Sequence, residues 1–345
     1  PSKIFIRSAI HKVKKNAAGV EAAGRSGLPR IVFPEGASSK ILKAVKDAVE
    51  EGICQPILLG YPEKVREKIE QLELHQLAQV PVIHPSFAPQ YEGYAKQLFQ
   101  RRARKGIESA EAQRLMSDPN YFAAMMVDQG DADGMITGAT QNYAEAVRPI
   151  LQVIGTSREG IAAGLNMMLL EDRFLLFADT TVNLDPGPEQ LATIALQAAR
   201  VMEYFEVKPR IAMLSYSNFT SRNGTPAKMK RAMELAKQKR PDLEIDGDMQ
   251  ADTAVNYDIL SRIFPFSELK GPANILVFPN LEASNIAYKL LQQLGKGEVI
   301  GPFLMGVRHA ANVLQRTTTV DTIFNSIVLT SLEAQYVKAK RQRRS

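Results

Sequence analysis

The chain has 345 residues, 45% of them hydrophobic and 23% charged, a globular balance with room for one large α/β unit or two lobes. Apolar runs such as NMMLL (166–170) and FLLFA (174–178) are too short to span a bilayer, no signal peptide opens the chain, and the single cysteine, Cys54, excludes an internal disulfide framework; a cytoplasmic protein is expected. The net charge of +6 gathers in HKVKK near the start, RRARK at 101–105 and KAKRQRR at the end, without interleaved base-stacking aromatics, so solvated faces and a tail are expected in place of a nucleic-acid partner.

PRIVFPEG (29–36) reads as a buried strand entering a loop. SSKILKAVKDAVEEG follows as an amphipathic helix, apolar at 41, 42, 45 and 49, with Gly52 closing it. CQPILLGYPEKV gives a strand and turn, a helix runs over 63–71, and VPVIHP is a further short strand. Residues 90–130 read as largely helical; ADGMITGAT is then a strand ending in a glycine loop, followed by helix NYAEAVRPILQVIG. Near 151–165 the character changes and a second α/β series begins, including FLLFADTTVNLDP, RIAMLSYSN, LEIDGDMQAD and NILVFPN. The last segment, from GPFLMGVRHAANVLQRTTTV through helix 320–338, returns to a helical character. Strands alternating with helices predict largely parallel sheets covered on both faces, in two α/β lobes with a cleft between them.

Polar loops follow several strands: Thr137–Thr140, Ser215–Asn218, Asp246–Gln250, Asn280–Asn285 and Gln315–Thr319. Ligands of open α/β sheets bind at the carboxyl ends of the strands, so these loops form the expected rim of a site. Turn formation and helix capping are the commoner explanation of any one of them; it is five such loops on one chain that point to a site. The four histidines, His11, His75, His84 and His309, lack metal-ligand spacing, and no Walker loop, dinucleotide fingerprint or nucleophile elbow is present. The residues alone predict a cleft for a small anionic ligand.

The order of motifs is more specific. RIVFPEG, ADGMITGAT with AVRPILQ, FADTTVN, AMLSYSN, KRPDLEIDGDMQAD, NILVFPNLEASNIAYKLLQQLG and GPFLMGV resemble the phosphotransacetylases, the phosphate acetyl/butyryl transferases, over about 30–338. The resemblance implies a two-domain fold like that of isocitrate and isopropylmalate dehydrogenases. Residues 1–150 plus 300–345 would form a discontinuous first domain, and 151–299 a second domain inserted into it. It also implies a homodimer and a CoA-binding cleft between the domains. In that family the CoA thiol attacks acetyl phosphate, an aspartate acts as base, arginines hold the phosphate, and a serine beside the last arginine donates a hydrogen bond. A thiolate nucleophile and guanidinium forks suit that chemistry.

The family's last motif is Ser-Arg-Gly-Cys-Ser, with the aspartate six residues after the arginine. Here the serine position is Gln315, the arginine is kept as Arg316, and the aspartate position is Thr322. Asp321 is adjacent, but one helical step turns a side chain by about 100°, and a first-turn acid suits the helix dipole. Arg102 and Arg148 match the other phosphate-site arginines. SYSNFTS (215–221), where the family has Ser-Thr-Lys-Gly-Ser after the strand, and the Met of GPFLMGV resemble the C-terminal domain of bacterial hybrid NADP-dependent malic enzymes. That domain is phosphotransacetylase-like, non-catalytic and senses acetyl-CoA. The first residues, PSKIF, lack a methionine and agree with a piece of a longer polypeptide.

The resemblance therefore implies a regulatory acetyl-CoA-binding domain that also drives oligomerisation, through which malate turnover is inhibited. NADP and a divalent metal would belong to a malic enzyme half preceding it in the same polypeptide. The alternative is an active phosphate acetyltransferase using Asp321 or Asp248 as base; a purely structural oligomerisation module is a third reading. No catalytic residue and no metal ligand is expected under the first. The expected binding set is Arg316, Gln315, Thr317, Arg102, Arg148, Thr137, Ser215, Ser217, Asn218, Asp248, Gln250, Asn285 and Lys289. A dimer face is expected on the terminal helix, where Phe324, Val328 and Leu332 form one apolar stripe and Ile323 and Ile327 another; burial within its own subunit is the competing expectation.

Overall fold

The computed structural model describes residues 2–21, 27–170, 173–220, 222–295 and 298–342. Its strands are β1 (Arg30–Phe33), β2 (Gln55–Leu59), β3 (Val82–Ile83), β4 (Gly134–Thr137), β5 (Ala163–Leu169), β6 (Phe174–Ala178), β7 (Arg210–Leu214), β8 (Glu244–Met249), β9 (Ile275–Val277), β10 (Glu298–Met305) and β11 (Ala310–Val313). Two compact units share them. One comprises Ile6–Gly155 and Val307–Ser345, the other Pro1–Phe5 and Thr156–Gly306.

In the first unit five parallel strands run in the order β11-β4-β1-β2-β3. Ile31, Val32 and Phe33 of β1 are all buried, as are all residues of β4 and β11, which is how a parallel strand packed on both faces reads. The helix Ser39–Glu50 buries Ile41, Ala44, Val45 and Ala48, an i, i+3, i+4, i+7 stripe, together with Leu42. Each large side chain so buried contributes roughly 1.5–3 kcal/mol. The terminal helix Val320–Gln342 packs on that helix and on β4 and β11, burying Ile323, Ile327, Val328, Leu329 and Leu332. Both apolar stripes expected to form a subunit face thus serve the chain's own core, because β11, which precedes this helix, brings it onto the sheet.

The second unit holds a six-stranded sheet in the order β10-β5-β6-β9-β7-β8. The pairs β10–β5 and β5–β6 are antiparallel, and the rest are parallel. The helix Pro188–Tyr204 starts with proline at its first position, and the Gly187 amide donates to Gln190 Oε1 at 2.9 Å. Its inner face is buried from Leu191 through Met202.

Two segments differ from the sequence reading. The segment from Gly301, expected to be helical, instead carries most of β10 and all of β11. Gly301-Pro302 removes a backbone donor where β10 shifts register against β5, which a helix would not tolerate and a bulged edge strand does. Because β10 pairs with β5, the chain returns to the first unit at Val307, not at 300. No helix among the described residues is long and apolar enough to cross a membrane.

Candidate functional site

In the first unit the loops after β1, β4 and β11 are bonded to one another. The Glu35 carboxylate accepts from the amides of Ala139 at 2.9 Å and Thr140 at 2.7 Å. The Leu314 amide donates to the Thr137 carbonyl at 2.7 Å. Gly138 lies between them with φ +100°, where a Cβ would come within 2.6 Å of the Leu314 carbonyl oxygen; only glycine permits this approach. The Gln315–Thr318 turn closes on itself: the Thr318 amide donates to the Gln315 carbonyl at 2.9 Å, and the Gln315 amide to Thr318 Oγ1 at 3.0 Å. From the helix after β1, Lys40 Nζ donates to the carbonyls of Arg316 at 3.3 Å and Thr318 at 3.1 Å.

Arg316 and Thr317 are exposed on this turn and Gln315 is half-buried. Thr137 is buried, and its hydroxyl donates to Asn120, whose amide in turn donates to Gln141 Oε1 at 3.0 Å. Thr137 therefore belongs to the frame of the site. Arg102, the last residue of the helix Tyr91–Arg102, and Arg148, in the helix Tyr143–Pro149, both act on Tyr121. Burial pushes the Tyr121 phenol up, and the two guanidinium groups pull the other way, Arg148 more strongly. The Arg102 Nε is buried without a hydrogen-bond partner. The Tyr121 hydroxyl itself is bonded to Gln152 Oε1 at 2.5 Å, so of these groups the Arg102 Nε is the one with an unmet donor.

In the second unit β7 and β8 bring Ser215, Ser217, Asn218, Asp248 and Gln250 together. Ser215 Oγ accepts from the Ser217 amide at 2.9 Å, and its proton faces the Ser217 carbonyl at 3.0 Å and Asp248 Oδ2 at 3.1 Å. Asn218 and Gln250 bond reciprocally: Asn218 Nδ2 donates to Gln250 Oε1 at 2.9 Å, and the Gln250 amide donates to Asn218 Oδ1 at 2.8 Å. Asp248 is buried with its second oxygen, Oδ1, unpartnered. Asp246 is used internally by Ser267 Oγ at 2.7 Å and the Glu268 amide at 2.8 Å.

Asn285 and Lys289 stand on the helix Leu281–Leu294, where the Asn280 side chain caps the start by accepting from the Ala283 amide at 2.9 Å. The Lys289 ammonium stands 5.1 Å over the Tyr288 ring. An open, mostly apolar cavity of about 750 Å³ in the same unit is lined by Leu175, Phe177, Val255, Leu276, Phe278 and Leu291 among others, and by none of the expected binding residues. No group of three or more potential metal ligands occurs among the described residues.

Sequence reasoning missed Glu35, Lys40 and Tyr121. An acid directly before glycine at a strand end was the available signal for Glu35. Lys40 looked like one more polar residue on the outer face of an amphipathic helix.

A model of the family described as "Phosphate acetyl/butaryl transferase" matches residues 12–331. The chain is 37% identical over 308 residues to a phosphate acetyltransferase of Corynebacterium glutamicum, covering 88% of this chain and 93% of that protein. It is 38% identical over 309 residues to the phosphate acetyltransferase of Synechocystis sp., across 88% of this chain but 44% of the relative. Over 333 residues it is 37% identical to the NADP-dependent malic enzyme of Escherichia coli, across 94% of this chain and again 44% of the relative. The chain thus spans less than half the length of the last two. A phosphotransacetylase from Streptococcus pyogenes shares the fold with a TM-score of 0.87 and 32% identity, covering 95% of this chain and 98% of that one. The EutD phosphotransacetylase from Staphylococcus aureus does so with a TM-score of 0.85 and 30% identity, covering 95% and 99%. The chain belongs to the phosphate acetyl/butyryl transferase family.

Proposed function

We propose that this chain binds acetyl-CoA as a regulatory ligand and does not itself transfer acetyl groups to phosphate. The observation that carries the reading is position 322. The family pattern asks there for a carboxylate that takes the thiol proton, and the chain has Thr322, whose hydroxyl lies 3.0 Å from that of Thr319 in the first turn of the terminal helix. A threonine hydroxyl is no base for a thiol near neutral pH. Asp321 is exposed, one helical step away. Identity with the Escherichia coli malic enzyme over nearly the whole chain supports a regulatory domain joined to an oxidoreductase. Such a ligand acts only by binding two states of the larger protein unequally.

The relatives favour a second reading, an active phosphate acetyltransferase, since most of those matched carry that name and the Corynebacterium protein is nearly coextensive with this chain. One measurement separates the two. The purified chain is given acetyl phosphate and CoA, and thioester formation is followed. The regulatory reading expects no turnover above a no-protein control; a rate like that of a working transacetylase sinks it and establishes the second.

A further inference from the structure

We propose that Tyr61, His84 and Phe87 form a platform on which the adenine ring of a CoA-type ligand stacks; this inference rests on the acetyl-CoA reading and extends it to the ligand's other end. The three residues follow β2 and β3 directly. The Gly60 amide donates to the Ile83 carbonyl at 3.0 Å, so the two strand ends are tied where the chain turns into the helix Pro62–Gln71 on one side and the short turn Pro85–Phe87 on the other. The Tyr61 and His84 ring centroids are 4.3 Å apart and those of His84 and Phe87 4.7 Å, three rings in continuous tilted contact at interplanar angles of 49° and 33°.

The platform is not buried as a core cluster would be. Phe87 is 80% exposed and Tyr61 53%, although aromatic surface of this size is worth burying. The Lys64 ammonium lies 5.1 Å over the Tyr61 ring, placing a positive charge beside the exposed π surface. His84 Nδ1 is buried and has no hydrogen-bond partner. Flat rings next to a cation suit a ligand group that is itself flat and carries negative charge close by, which is a nucleotide base with its phosphates.

The position in the sheet supplies the second argument. All five strands of this unit are parallel, so the platform and the Gln315–Thr318 turn lie on one edge of one sheet. The order β11-β4-β1-β2-β3 sets three strand spacings, about 14 Å, between β11, which precedes the Arg316 turn, and β2, which precedes Tyr61. A single ligand touching both must be long, with a flat anionic end and a flexible arm. CoA, an adenosine 3′,5′-bisphosphate joined to a phosphopantetheine arm, has that form.

The chain contains no tryptophan, so Phe87→Trp installs a lone indole reporter at an exposed site. Its fluorescence should be quenched saturably by CoA and by adenosine 3′,5′-bisphosphate, and not by phosphopantetheine. In calorimetry on the full chain, the double variant Tyr61→Ala, Phe87→Ala should bind CoA about five- to a hundredfold more weakly, with phosphopantetheine binding unchanged. CoA binding that is unchanged in the double variant and leaves the indole unaffected overturns the platform while leaving the acetyl-CoA reading standing. Equal weakening of CoA and phosphopantetheine overturns it too, since that marks a general distortion. If the unaltered chain binds no CoA, the parent reading has failed, and this inference falls with it.

Discussion

Arg316 has two halves with different work. Its carbonyl is held by Lys40, which fixes the turn, while its guanidinium is exposed and without a partner among the described residues. A side chain bonded to nothing in its own chain adds little to stability, yet a charge-assisted hydrogen bond to a ligand is worth roughly 1.5–3 kcal/mol. Arg316→Ala should therefore weaken acetyl-CoA binding about ten- to a hundredfold in calorimetry and leave the melting temperature nearly unchanged. A destabilised variant with unaltered affinity would make the arginine a structural residue. Arg316 was legible in the sequence because it stands in a motif with fixed spacing. Glu35 was not, since its partners lie 104 and 105 residues further on, and no local period announces a carboxylate reaching across the sheet to a second loop.

At the level of elements, most strands and helices were legible wherever an apolar period ran uninterrupted, as in Ser39–Glu50. The reading failed at β10 and β11, where small and apolar residues such as those of Ala310–Val313 are compatible with a buried helix or a buried strand, and only pairing decides. Just before β11, His309 is buried against the terminal helix, with Arg341 Nη2 at 2.8 Å from its Nε2. Burial, and then the Arg341 charge, press the imidazole down to about 4; Arg308 presses the same way, and Asp128 and Asp133 oppose. The ring is then neutral in the fold and accepts the arginine's hydrogen bond. Its ordinary value is 6.5, so the unfolded chain takes up the proton first as the pH falls. Stability linked to this group is full above pH 6.5 and is lost on the way down through about pH 4. Thermal melts from pH 7 to 4 should show a decline that His309→Gln makes shallower; an identical slope in both proteins would remove His309 as its cause.

At the scale of the whole molecule, the helix Leu281–Leu294 carries an exposed apolar stripe. Ile286, Leu290 and Leu294, four residues apart and on one face, are 60%, 53% and 82% exposed. A stripe of this kind is normally covered. With the terminal helix packed within its own unit, this stripe is the face left to test for the expected homodimer. Light scattering at micromolar concentration should give twice the chain mass, and Leu290→Glu should halve it without lowering the helix content. A monomer before substitution would reject the dimer. The resemblance implied two α/β bodies; which helix was left bare was hidden, because amphipathicity marks an apolar face without saying what covers it.

The strand β11 closes one side of the first sheet, beside β4, yet it is made only after all of Thr156–Gly306. During synthesis the outer edge of β4 has its hydrogen-bonding groups unmatched until Ala310–Val313 leaves the ribosome. The inserted unit, continuous apart from Pro1–Phe5, has nearly all its sequence earlier and is free to condense first. Once condensed, it shortens the effective tether between β4 and β11, and the entropy of closing that loop falls accordingly. The turn bearing Arg316 thus takes shape among the last parts of the chain, so a product stalled between Gly306 and Ala310 has the second unit's sequence complete and lacks that turn.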